Sequence, residues 1–111
     1  MSKAFFVSAN GVSEVREFTR ETEYDVIRTA VGGLIEAVSL RDYGLTLWVN
    51  ESGKLNDLEF NLFGTALWAS NYGLTDVIVG DILITGGTDD EGYSLGLTDE
   101  ELQLLQNAFL G

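Results

Sequence analysis

A chain of 111 residues with 45% apolar and 11% aromatic side chains has the size and composition of one packed domain, which excludes a disordered acidic tail. Eighteen acidic residues against six Lys and Arg give a net charge of -12, which disfavours direct binding to nucleic acid or to an acidic membrane surface. The absence of cysteine, histidine and proline excludes disulfides, thiolate nucleophiles and imidazole ligands, so no cofactor, no metal site and no catalytic residue is predicted.

Hydropathy gives an expectation about location. No apolar segment approaches the roughly 20 residues that cross a bilayer. The opening segment Met1–Val7 is too short for a signal peptide. We therefore expect a cytoplasmic protein without a membrane partner.

The first third of the chain predicts a hairpin and a helix. Residues 4–8 and 12–18 have strand character around Asn10-Gly11, a dipeptide suited to the positive φ angles of a tight turn. After Thr19, apolar residues at helical spacing predict an amphipathic helix whose stripe is Tyr24, Val26, Ile27, Ala30 and Val31. Gly32-Gly33 is predicted to end this helix, and a phosphate loop is disfavoured because such loops precede a helix.

The middle third predicts two strands and a second helix. Residues 34–39 and 45–49 have strand patterns, and Asn50–Lys54 is predicted to form a hairpin loop whose glycine is placed for a bulge, with a recognition loop as the alternative. Asn61 is predicted to cap a helix over residues 62–71 rather than to act as a ligand. The weak amphipathicity of this helix predicts that it is well buried.

The last third predicts a strand and a closing helix. Residues 77–84 are apolar on both faces except at Gly80-Asp81, which predicts an internal strand with a bulge or bend, or alternatively a Gly-Asp hairpin. The Asp81 carboxylate needs a partner, and a structural role is favoured. Thr98 and Glu101 predict a capping box before a stripe of Leu102, Leu105 and Phe109. The chain is thus predicted to be a single α+β domain over residues 1–111, with a mixed sheet of about five strands and three helices.

Two segments are distinctive beyond their secondary structure. The first is Val31–Glu36 (V-G-G-L-I-E), and the second is Asn50–Leu55 (N-E-S-G-K-L), which is followed by Leu58 and Asn61. Over about residues 24–100, the chain resembles a small family that is known only as a domain of unknown function. The family occurs in bacteriophages, plasmids and their bacterial hosts, so the resemblance implies a mobile-element setting inside a bacterial cell. It implies no activity and no catalytic residue.

Charge is distributed unevenly along the chain. Residues 55–111 contain ten acidic residues and no Lys or Arg, whereas the first 54 residues have eight acidic and six basic residues, a net charge of only -2. A protein partner with a basic surface would be attracted to such a chain, and nucleic-acid-binding proteins are the commonest of that kind. Solubility alone is the alternative explanation.

Three groups of residues are candidates for binding a partner. Trp48 and Trp68 qualify only if they are exposed, because most tryptophans pack at least partly into a core. The carboxylates of residues 86–92 lack the alternating spacing of a calcium loop, so a solvated turn is favoured over a calcium or magnesium site. The candidates are the loop residues Asp89, Asp90 and Glu91, the helix-start residues Asp99, Glu100 and Glu101, and the two tryptophans.

These observations favour a non-catalytic, acidic protein-binding module of a phage or mobile element. In this interpretation it modulates or inhibits a host protein with a basic surface. A small enzyme or ligand-binding domain that uses carboxylates, and a structural or assembly protein, are the alternatives. The sequence predicts no oligomeric state.

Overall fold

The elements of the chain alternate between antiparallel strands and three helices. The computed structural model describes all of residues 1–111. In chain order the elements are β1 (Ser2–Val7), β2 (Ser13–Phe18), α1 (Glu23–Val31), β3 (Ile35–Leu40), β4 (Leu45–Asn50), α2 (Leu62–Tyr72), β5 (Ile82–Thr85) and α3 (Asp99–Leu110). No helix has the length and apolar character that a membrane span requires.

The five strands form one sheet in the order β2-β1-β5-β4-β3. This confirms the predicted α+β class with five strands and three helices. The sheet is antiparallel throughout rather than mixed, because β1–β2 and β3–β4 are hairpins and β5 lies antiparallel to both β1 and β4. The predicted pairing of the first two strands is also confirmed.

Helices cover both faces of the sheet. On one face, which we call the α1 face, α1 packs on a cluster of Ala4, Phe6, Phe18, Ile27, Ala30 and Leu83. On the opposite face, which we call the α2/α3 face, side chains of α2 and α3 join a larger cluster that includes Phe5, Val7, Ile82 and Ile84. Because β5 lies at the centre with cover on both sides, all four of its residues are fully buried.

The apolar segment 77–84 forms a shorter strand than predicted. Only Ile82–Ile84 of the predicted residues pair in the sheet, and the strand continues to Thr85. Gly80 has a φ of 81°, which bends the chain just before the strand, and Val79 makes an isolated bridge to Phe60 instead. The prediction of a strand through residue 77 is therefore wrong, since residues 77–81 form an irregular approach to it.

Asp81 has a structural contact at this bend. Its Oδ1 atom accepts a hydrogen bond of 2.9 Å from the amide of Ala9, in the turn between β1 and β2. The carboxylate therefore joins the approach to β5 with that turn.

The prediction of a hairpin loop at Asn50–Lys54 is wrong. β4 is followed by turns and then by α2, and the downstream strand that pairs with β4 is β5. Gly53 is buried, and a side chain there would place its Cβ 3.0 Å from Val79 Cγ2 and 3.3 Å from the Asn50 carbonyl oxygen. The glycine permits this close approach rather than a bulge.

The helix boundaries agree with their predicted caps. Gly32 ends α1 with a φ of 76°, and its amide donates to the Arg28 carbonyl. The capping box of Thr98 and Glu101 is present at α3. Tyr24, however, is 53% exposed and lies outside the buried stripe of α1.

The predicted deep burial of α2 is wrong. Leu62 is 72% exposed and Ala66 is also exposed, while Gly64 and Leu67 are buried. α2 lies in an outer layer, so only the side that faces the sheet is covered.

Asn61 connects three parts of the fold. Its Oδ1 atom accepts a 3.0 Å hydrogen bond from the amide of Gly64, which confirms the predicted cap of α2. Its Nδ2 atom donates to the carbonyls of Val7 at 3.2 Å and Gly80 at 2.9 Å. The side chain is almost fully buried, so these bonds replace water for three backbone groups.

Asn61→Asp tests this anchoring role. The carboxylate keeps the acceptor for Gly64 but removes both donors and places a charge near two carbonyls. We expect the free energy of unfolding, measured by urea denaturation near neutral pH, to fall by about 3 kcal/mol, because each buried polar group left unsatisfied costs about 1–3 kcal/mol. Thr98→Ala is the control and should cost about 1 kcal/mol, the usual value of a cap. Equal losses in the two variants would contradict the anchoring role.

Candidate protein-binding surface

The loop triplet of Asp89, Asp90 and Glu91 lies at the end of the sheet where β1 begins. Asp89 Oδ1 accepts hydrogen bonds from the amides of Glu91 at 2.9 Å and Tyr93 at 3.0 Å, which folds the loop into a turn. The Ser94 amide donates to the carboxylate of Glu23, at the start of α1. No group of three or more acidic side chains in the chain is arranged to hold a metal ion.

Glu91 is ion paired with Arg20, in the connection between β2 and α1. The Arg20 guanidinium also lies 3.8 Å from the centroid of the Tyr93 ring. The hydrogen bond with Glu91, and then the contact with Tyr93, raise the pKa of Arg20 above its ordinary value. Asp89 and Glu91 therefore have partners within the chain, and Asp90 is the member of the triplet whose carboxylate points to solvent without one.

The helix-start triplet lies at the same end of the sheet. The Leu97 amide donates to the Lys3 carbonyl at 2.9 Å, which holds the start of α3 beside β1. Glu101 accepts a 2.9 Å hydrogen bond from the Thr98 amide, as part of the capping box. Asp99 and Glu100 are exposed, and the positive end of the helix dipole stabilises their carboxylates.

The two tryptophans are separated by the sheet. Trp48 packs against the cluster on the α1 face, and its Nε1 atom donates to Thr85 Oγ1 at 2.9 Å. Trp68 packs on the α2/α3 face, donates to Thr75 Oγ1 at 3.0 Å and lies against the ring of Tyr72. Both are half-buried with their indole N–H groups bonded, which is the arrangement of core residues, and they do not share one surface.

The uneven charge of the sequence becomes a difference between the two faces. The α2/α3 face takes both of its helices from residues 55–111, so these helices carry three carboxylates and no Lys or Arg. The opposite face carries Arg16 and Arg28 among the carboxylates of β2 and α1. Three cations lie beside these helices: Lys3 shares one face of β1 with Phe5 and Val7, Lys54 lines a groove with Trp68, and the Arg41 guanidinium lies 5.1 Å from the Tyr72 ring centroid.

Most of the carboxylates have no cationic partner. Three of the eighteen acidic residues form ion pairs, Glu14 with Arg16, Glu91 with Arg20, and Asp76 with Lys54. Repulsion between the remaining charges therefore acts across the surface and would be relieved by a cationic partner.

A groove of about 300 Å³ opens between α2 and α3, and we call it the α2–α3 groove. Leu104 is 68% exposed at its rim, and Glu101 supplies a carboxylate. The sequence analysis did not predict this groove. One signal for it was present, because Leu104 is an apolar residue that lies outside the apolar stripe of α3. Its lining is Tyr43, Leu45, Leu67, Glu101, Leu104, Leu105 and Ala108.

A second groove of about 210 Å³ runs beside β3, and we call it the β3 groove. Its apolar walls include Val38, Trp68 and Val77, and the ion pair of Lys54 and Asp76 lies among its lining residues. The Lys54 ammonium and then the Val77 amide lower the pKa of the Asp76 carboxyl.

Lys54→Met tests the cause of this pKa shift. We expect the pKa of Asp76, measured by NMR titration of its carboxyl carbon, to rise toward its ordinary value. Because the folded-state pKa is depressed, the stabilisation by Asp76 is present above the unfolded-state pKa and is lost as pH falls through the folded-state pKa. The loss of unfolding free energy near neutral pH should stay below about 1 kcal/mol, since the pair is exposed. Lys3→Met is the control, and an unchanged Asp76 titration in Lys54→Met would contradict the assignment.

Comparisons with known proteins give one match. No curated protein and no solved structure matches the chain. The family described as "Domain of unknown function (DUF3846)" matches residues 2–110, nearly the whole chain, and this confirms the resemblance found in the sequence. The protein therefore belongs to the DUF3846 family.

Proposed function

We propose that the protein is a non-catalytic binding module that engages a protein with a basic surface through its α2/α3 face. The observation that carries the proposal is the composition of this face. α3 supplies exposed carboxylates at its start, an apolar groove lies between α2 and α3, and neither helix carries a Lys or Arg. Apolar area bordered by charge is the usual composition of a protein–protein interface.

Unpaired carboxylates on this face favour a partner with a basic surface. Asp99 and Glu100 have no partner within the chain, and Glu101 borders the α2–α3 groove. Cationic side chains of a partner would meet these carboxylates at the rim while its apolar side chains enter the groove. Complementary rim charges mainly accelerate association and reject acidic partners.

The resemblance to phage and plasmid proteins supports the biological part of the proposal. We infer that the protein acts in the cytoplasm of a bacterial host, where it modulates or inhibits a host protein. Nucleic-acid-handling proteins are the commonest class with strongly basic surfaces and are therefore the first partners to test.

The test neutralises those carboxylates of the two acidic triplets that have no hydrogen bond or ion pair within the chain. The variant Asp90→Asn, Asp99→Asn, Glu100→Gln keeps the turn at Asp89, the Arg20 pair and the capping box. With a partner recovered from host lysate and then purified, we expect this variant to associate about tenfold more slowly at low salt, because steering by charge changes association rates by about 10–1000-fold. Stopped-flow kinetics measures the rate.

A matched variant controls for net charge. Asp25→Asn, Asp57→Asn, Glu59→Gln removes the same number of negative charges from other parts of the surface, and we expect a smaller effect. The difference should shrink as salt shortens the screening length from about 10 Å at 0.1 M to about 3 Å at 1 M. Association that is indifferent to salt and to both variants would refute a basic partner.

A further inference from the structure

The sheet has two edge strands, β2 and β3, whose outer backbone groups have no partner strand. Along β3, the Glu51 amide donates to the Leu34 carbonyl at 2.8 Å, so residues 36, 38 and 40 are the ones that exchange hydrogen bonds with β4. The N–H and C=O groups of Ile35, Ala37 and Ser39 therefore point away from β4. The Tyr72 hydroxyl donates to the Ser39 carbonyl, and no other backbone hydrogen bond is made along this outer edge.

The two edge strands differ in the number of charged side chains that would oppose the addition of another strand. β2 carries the charged residues Glu14, Arg16 and Glu17, and the Arg16 guanidinium lies 3.8 Å from the centroid of the Phe6 ring. β3 carries one charged residue, Glu36, and its outward-pointing residues include the small, exposed Ala37 and Ser39. Charged side chains, prolines and bulges are the usual features that block an edge, and β3 has almost none of them.

The β3 groove lies directly beside this edge. Its lining includes Glu36 and Val38 of β3 itself, together with Trp68 of α2 and Val77. Side chains of a strand alternate between two faces, so every second side chain of a strand added to β3 would point toward this groove. Glu36 and Glu51 supply negative charge along it, while the one cation in the lining, Lys54, is already paired with Asp76.

We propose that β3 and the β3 groove bind an extended, basic segment of the partner protein, which adds to the sheet as a sixth, antiparallel strand. The backbone of that segment pairs with Ile35 and Ala37 and accepts from the Ser39 amide, since the Ser39 carbonyl already accepts from Tyr72. Its groove-facing side chains include an apolar one that contacts Val38, Trp68 and Val77 and cationic ones that meet Glu36 and Glu51, which line the same groove. This mode of recognition takes affinity from main-chain hydrogen bonds and specificity from alternate side chains. It rests on the proposed function, because it takes the partner to be basic.

Charge favours a basic segment over a second copy of this chain at the same edge. Pairing of two β3 strands would bring together two molecules that each carry a net charge of -12. It would also place the Glu36 side chains of both copies on the same face of the joined sheet, within two residues of each other. A cationic strand would be repelled neither by the net charge of this chain nor by the Glu36 side chain.

The probe for the test is the seven-residue synthetic peptide Thr-Val-Thr-Lys-Thr-Lys-Thr, blocked at both ends, whose valine and lysines lie on one face of a strand. We expect it to bind at low salt with shifts of the Ile35, Ala37 and Ser39 amide signals in NMR spectra and with slowed exchange of the Ala37 amide. The same peptide N-methylated at every residue has equal charge but no backbone donors, so its affinity should be at least about tenfold lower, a loss of about 1.4 kcal/mol.

Ala37→Pro removes the outward N–H of the edge and leaves the bonds between β3 and β4 in place. We expect it to weaken peptide binding at least tenfold. Val15→Pro is the matched control on β2, where the corresponding N–H also points outward, and it should leave binding unchanged. Ala37→Lys and Val15→Lys repeat the comparison without a proline, in case Ala37→Pro does not fold.

The outcomes separate this inference from the proposed function. If the N-methylated peptide binds equally well, or the Ala37 and Val15 variants behave alike, a basic ligand is held by charge alone and strand addition is refuted. If neither peptide binds while the purified basic partner does, strand addition is likewise refuted and the proposed function stands. A dimer that Ala37→Pro converts into a monomer would show that a second copy occupies the edge, which also overturns the inference.

Discussion

The burial of β5 on both faces is the constraint on which the rest of this structure depends. A strand of four residues pairs with β1 on one side and β4 on the other, and so joins two hairpins into one sheet. Leu83 packs toward α1 while Ile82 and Ile84 pack toward α2 and α3. Without this strand neither helical layer would have a continuous surface to cover, and Asn61 and Asp81 hold the chain in position just before it.

The same arrangement accounts for the charge distribution. The first half of the chain supplies both hairpins and α1, and the second half supplies the central strand and the helices of the opposite face. Carboxylates that are spread along the second half of the sequence are therefore excluded from the sheet interior and collect around α3 and the loops. The asymmetry between the faces therefore follows from the uneven charge of the sequence combined with this topology.

Local signals predicted more of this fold than non-local ones. The caps at Asn61 and Thr98 and the end of α1 at Gly32 depend on a few neighbouring residues, and all three are confirmed. The strand predicted over residues 77–84 and the hairpin predicted at Asn50–Lys54 failed for a non-local reason. Gly80 packs closely against Leu58, and Gly53 packs closely against Val79, so each glycine is placed by a residue from another segment. The grooves could not be predicted for the same reason, since helices, strands and loops distant in the chain line them. The partners of Glu91 and Asp81 lie 71 and 72 residues away in sequence.

The late position of β5 in the chain has a consequence for how the protein folds. The two hairpins are built from contacts between near neighbours and can form early, whereas β5 must pair with residues 75–79 positions before it. During synthesis, β1 and β4 therefore present unpaired inner edges until the ribosome has released residues 82–85. Nascent chains of this topology are exposed to misassociation during that interval, and the dense negative charge of the emerging segments would keep neighbouring chains apart until the sheet closes.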